Sequence, residues 1–126
     1  MSAASNYLED ATLDFWLKAN SSAYSAPTTV YVALFTSDPS TGSTSENLEA
    51  GTLTDEVSGY DYARKAVTFG TISGGSVSNS GNVTFDSANG GDWGTITHIA
   101  VMDASTSGNV LFYGTLDTAK EIQDGD

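Results

Sequence analysis

His98, in the stretch TITHIAVMD, is the single histidine of this 126-residue sequence and so its one ordinary candidate for a general base at neutral pH. A base needs a nucleophile to activate and a third group to orient it. No spacing in the sequence signals either. GGSVSNSG (74–81) is the nearest approach to a G-x-S-x-G elbow and lacks the second glycine where that turn needs it. No phosphate-cradling P-loop and no G-x-G-x-x-G occurs. Strand alternation puts His98 on the same face as Ile96, Ala100 and Met102, so it is expected to be a half-buried structural side chain, dispensable for function.

Carboxylates are the abundant reactive group. Glu9/Asp10 and Asp55/Glu56 are sequence neighbours, whereas a glycosidase pair must face across a cleft; solvated helix and loop surface is the expectation. DSANGGD offers Asp86, Asn89 and Asp92 as a weak calcium candidate, without EF-hand spacing and in residue types that ordinary loops also use. With no cysteine and one histidine, a structural zinc lacks ligands. No catalytic residue and no cofactor is expected. Arg64 and Lys65 are adjacent in a strand-like segment and point to opposite faces, so they can neutralise acidic neighbours but form no basic patch. Aromatic rings could stack on sugars. Trp93, after a Gly-Gly-Asp turn, is the exposed candidate for that, while Trp16 is expected to pack inward from a helix and most of the aromatics to build the core of a β domain.

The composition narrows the partners. Four Lys and Arg stand against 16 Asp and Glu, a net charge of −12. Nucleic acid and anionic membrane surfaces are poor partners for such a chain. No basic-apolar leader and no apolar run near the ~20 residues of a membrane span is seen. One domain, 1–126, is expected.

Around these residues the hydrophobic period changes once. SNYLEDATLDFWLKA reads as an amphipathic helix over about 5–18, with Leu8, Thr12, Phe15 and Ala19 on one face, Asn6 as a cap and Glu9 three residues on. Asp14 and Lys18 form an i,i+4 pair. Pro27 ends helical geometry. TTVYVALFTSDP (28–39) then alternates Val30, Val32 and Leu34 with Tyr31, Ala33 and Phe35, apolar on both faces, and reads as a buried central strand closed by an Asp38-Pro39 turn. The acidic stretch 40–58 is expected to be an exposed, mobile loop. YARKAVTFG, SVSNSGNVTF, TITHIAVMD and NVLFYGTL read as further strands. SNSGN is a candidate hairpin turn or kink. DASTSGN is a hairpin loop with Gly108 at positive φ. TLDTAKEIQDGD reads as a strand exit and a turn, either frayed or missing a further strand. The sum is a mainly β fold, an antiparallel β-sandwich of jelly-roll type with one N-terminal α-helix.

NYLEDATLDFWL, APTTVYVALFTSDP, GYDYARKAVTFG and WGTITHIAVMDASTSGNVLFYGTL, in that order, cover nearly the whole chain. Together they resemble a family of small bacteriophage virion proteins known as phage tail fibre proteins. The resemblance implies a non-enzymatic virion component, assembled in the host cytoplasm and exposed on the particle as a tail or head fibre subunit. Capsid decoration and a carbohydrate-binding host-attachment module that touches surface glycans are the alternatives. Members continue past the Gly-Asp turn into another strand, and their 40–58 link is shorter. Other virion proteins, and further copies in a homo-oligomer, by analogy a trimer, are the implied partners. Leu8, Leu13, Phe15, Trp16 and Leu17 make the helix apolar beyond one face, which suits either a docking surface or the cover of an open sheet face.

Overall fold

The computed structural model describes residues 2–39 and 55–126. Its elements are β1 (Ser2–Ala4), α1 (Asn6–Leu17), β2 (Val30–Phe35), β3 (Lys65–Val67), β4 (Gly94–Met102) and β5 (Val110–Ile122). The five strands form one antiparallel sheet in the order β1-β5-β4-β2-β3. Among the described residues the fold is mainly β with a single N-terminal helix, as the change of period at Pro27 predicts. The sandwich expectation needs refinement. Among the described residues there is one sheet, and the layer over one of its faces is largely irregular chain. SVSNSGNVTF forms no strand of its own, only isolated bridges. Its apolar residues are diluted by Ser, Asn and Gly, which pack poorly on a pleated surface.

β2 is interior to the sheet and feeds both faces. Tyr31, Ala33 and Phe35 join Ala100, Met102, Val110 and Tyr113 in one core cluster. Leu34 joins Val57, Tyr62, Phe85, Ala88, Trp93, Ile96, Leu116 and Ile122 in the other. Strict alternation would put Ile96 with Ala100. A register irregularity between Ile96 and His98 separates them, so Ile96 serves the second cluster and Ala100 the first. His98 therefore shares a face with Ala100 and Met102 but not with Ile96.

Helix α1 starts one residue earlier than the cap read from sequence. Ser5, not Asn6, is the N-cap: its hydroxyl accepts from Leu8 N at 3.2 Å and donates to the Val110 carbonyl. Ser5 N also donates to Leu111 O at 2.9 Å, so the helix start is tied to β5 and Ser5 is fully buried. Tertiary bonding decided the cap, which is why local spacing misplaced it. Asp14 and Lys18 pair at 3.8 Å.

Two hairpin turns fix the remaining geometry. In 103–109, Asp103 accepts from Asn109 N (2.7 Å) and Asn109 Nδ2 (2.9 Å), and Gly108 has φ +74°. In 73–76, Ser73 and Ser76 exchange backbone bonds of 3.0 Å across Gly74 (φ +59°) and Gly75 (φ +74°), as a two-residue type I′ loop requires. That turn, rather than SNSGN, closes a hairpin-like arm over 68–80, with Gly70 N bonded to Ser78 O and Ser80 N to Thr68 O, both at 2.8 Å. At the other end of the chain, 117–122 continue β5 rather than leave it, and 123–126 form a tied turn. Gly125 N donates to Ala88 O (2.8 Å), Ala88 N to Asp126 O (3.0 Å), and Asp124 N to Asp92 Oδ1 (2.8 Å). The frayed-tail expectation is corrected accordingly.

Most of the 40–58 loop lies outside the described residues. Its end does not behave as exposed loop: Thr36 N donates to Asp55 O and Val57 N to Leu34 O, both at 3.0 Å, and Val57 is buried. Pairing with the free stretch of β2 satisfies backbone groups that would otherwise be orphaned.

Candidate interaction surface

The polar groups come together at one place that no motif announces. Arg64 forks onto Glu56, with Nε to Oε1 at 2.7 Å and Nη2 to Oε2 at 2.8 Å. Its Nη1 donates to Ala104 O (2.8 Å) and Ser107 O (2.7 Å). Tyr62 donates from its hydroxyl to Glu56 Oε1 (2.9 Å) and accepts from Leu34 N (3.0 Å). The Arg64 and Glu56 side chains are 5% and 15% exposed, so this pair is desolvated and fork-matched. Burial is the main reason that the Tyr62 hydroxyl holds its proton well above the usual tyrosine range, with the neighbouring Glu56 carboxylate adding to it. Hydrogen bonding to Glu56 raises Arg64 further above its ordinary value. The cluster borders a cavity of about 320 Å³ also lined by Ser105 and Thr106. Four of the roughly five guanidinium donors are already used, so Arg64 ties three chain segments together and has little left for an anion.

His98 lies beside Thr97 Oγ1 (2.8 Å to Nδ1), Thr115 Oγ1 (3.3 Å to Nε2) and Asp38 (3.9 Å to Nε2). A relay needs hydroxyl and orienting carboxylate bonded to opposite ring nitrogens. The Thr97 hydroxyl and Asp38 do lie on opposite ring nitrogens, but at 3.9 Å the carboxylate stands beyond hydrogen-bond reach of the ring. The calcium candidates each have other partners: Asp86 pairs with Lys65 Nζ at 2.5 Å, Asn89 donates to Asp61 at 2.9 Å, and Asp92 accepts from Asp124 N. Among the described residues no group of three or more His, Asp or Glu side chains is placed to hold a metal ion.

The two tryptophans are placed opposite to expectation. Trp93 is buried, donates from Nε1 to Tyr60 O at 3.0 Å, and packs edge-on against Tyr62 and Phe85. Its indole N–H finds a partner in the turn at 59–61, so the Gly-Gly-Asp context did not expose it, and a sugar platform loses its leading ring. Trp16 instead is 70% exposed.

That exposure belongs to a larger apolar surface. Leu13 (55% exposed), Trp16 and Leu17 (78%) follow i, i+3, i+4 spacing and point outward together. Leu8 and Phe15 are half-buried, Phe15 stacked on Tyr24 at 5.2 Å between ring centres. The helix thus packs along β5 with one side and presents bare apolar side chains on another. Leu8 and Leu13 share a shallow groove with Phe112. Phe112 leads into a wider groove of about 780 Å³ between the sheet and the arm, lined by Val30, Val101, Leu111, Phe69, Ile72 and Val77. The irregularity between Val101 and Met102 gives β5 one extra residue, and Leu111 and Phe112 both line this groove. The sequence reading named the helix residues and missed those of the groove. The signal was there: no charged residue occurs from 66 to 85.

No helix among the described residues is long and apolar enough to cross a membrane. No curated protein matches the chain. A family model described as podophage GP4 fiber I protein gp80 matches residues 3–126. Nearly the full length is covered, helix, sheet and arm alike, and the chain therefore belongs to this family of phage fibre proteins.

Proposed function

We propose that this chain is a non-enzymatic structural subunit of a phage fibre, exposed on the virion and joined to other virion proteins through the outward side of helix α1. The observation that carries the reading is the apolar stripe Leu13, Trp16 and Leu17, left bare on a chain of net charge −12. A lone soluble domain gains nothing from such a stripe, whereas a docked subunit buries it. The family supports the fibre.

The test uses phage particles. An antibody against the chain should label intact virions, and a protein carrying Trp16→Asp with Leu17→Asp should fold, by its circular dichroism, yet be missing from particles. Incorporation of that variant at wild-type levels removes the helix as the docking surface. Unlabelled virions remove the surface-exposed fibre subunit itself.

A further inference from the structure

We infer that the groove between the sheet and the 68–80 arm receives the arm of a second copy of this chain, in a reciprocal contact. Both halves of the contact are present on one molecule. The arm carries Ile72, 74% exposed beside its turn, with Phe69 and Val77 also exposed. The groove offers Val30, Val101, Leu111 and Phe112. A two-fold contact needs such self-complementarity, knob and socket on the same surface. The described backbone hydrogen bonds of the arm join its own two legs, so it is held at its base and by side-chain packing. Its own packing leaves the ≈780 Å³ groove unfilled, along with a further ≈630 Å³ space toward Val32, Leu34 and Phe85.

Charge selects the occupant. Two copies at −12 each repel wherever carboxylates meet. Residues 66–85 carry no charge, and neither do the four sheet residues of the groove. The charges at the two ends of this run, Lys65 and Asp86, neutralise one another at 2.5 Å. Here a copy meets a copy without setting carboxylate against carboxylate. A basic partner would find no carboxylate in this groove to bind. The exposed parts of Phe69, Ile72, Val77 and Phe112 offer on the order of 400 Å² per copy, taking ~150–250 Å² for a whole aromatic side chain and about the lower end of that for Ile and Val. With the arm's Ser and Gly backbone around them, that comes within reach of the roughly 800 Å² per partner of a standard interface.

The contact does not depend on the helix docking to other virion proteins, and the two can fail separately. The measurement is molar mass by light scattering on the purified full chain over a wide concentration range. We expect association that strengthens with added salt, since screening relieves like-charge repulsion. Ile72→Asp should weaken it by on the order of tenfold or more, because the new carboxylate would enter an apolar groove. Trp16→Asp with Leu17→Asp should leave it unchanged. The chain has no cysteine, so Ile72→Cys and Val101→Cys made in separate proteins and mixed under oxidation should give a cross-linked pair. A wild type that stays monomeric throughout overturns the inference. So does an oligomer that survives Ile72→Asp, or a mixture of the two cysteine variants that yields no cross-linked pair.

Discussion

Two regions of this protein handle the same problem, chain that is not in the main strands, in opposite ways. The segment 55–64, with the loops at 88–93 and 104–107, is irregular but densely bonded. Arg64, Glu56, Tyr62, Trp93 and Asn89 connect it, and backbone pairs to β2 fix its start. Tyr60 and Asp61 even hold left-handed backbone there, at φ +52° and +62°, with the Tyr60 carbonyl accepting from both Asn89 N and Trp93 Nε1. The arm at 68–80 has the more regular backbone, a two-legged ladder with a type I′ turn, but bare apolar side chains and no charged group. Regularity and fixity are thus separate properties. Satisfied buried polar groups fix the first region; the second has the local geometry of a hairpin and lacks a finished cover.

The comparison breaks or sharpens under substitution. The largest effect should come from Arg64→Ala, which leaves the Glu56 carboxylate buried without its partner and should cost about 3–5 kcal/mol, read from urea unfolding. Replacing both partners, Arg64→Met with Glu56→Leu, should recover much of that loss. Ser5→Ala removes a helix cap and a bond to β5 together and should cost about 1–2 kcal/mol. A third test is alkaline. The Tyr62 hydroxyl binds its proton more tightly folded than unfolded, chiefly through burial. Its contribution to stability is therefore whole below the unfolded tyrosine value of about 10 and is lost as pH rises above it. Unfolding free energy should fall more steeply above pH ~10 in wild type than in Tyr62→Phe. The smallest effect on folding should be that of Ile72→Asp, within about 0.5 kcal/mol, since Ile72 is surface in the single chain. A loss as large as that of Arg64→Ala would mean that the arm is core, and would erase the contrast.

Periodicity made the sheet's centre and the helix legible. Val30–Phe35 has a clean two-sided alternation, and the helix has unambiguous spacing. What escaped was whatever depends on contacts distant in sequence. Ser5 caps the helix because Val110, 105 positions on, accepts its proton. Ile96 and Ala100 serve different cores because of an irregularity whose cause lies in the pairing with β5. Trp93 is buried by the turn at 59–61, and β1 forms only because β5 offers it an edge. Of the candidate surface, the helix side chains were legible through their excess of apolar residues. The groove was not, since Val101 and Phe112 become neighbours of Ile72 only when the arm folds over the sheet.

The Arg64 fork also bears on how long the fold lasts. It reaches carbonyls 40 and 43 positions ahead in the chain, so it closes only after β4 and β5 have brought that loop back beside it. Bonds completed late in folding are the ones that must break early for the chain to come apart, and they set the escape rate more than the folding rate. A particle component that waits outside a cell with no chaperone to refold it depends on that rate rather than on an equilibrium. The guanidinium then acts as a latch in time: its loss should hasten unfolding while refolding stays nearly as fast.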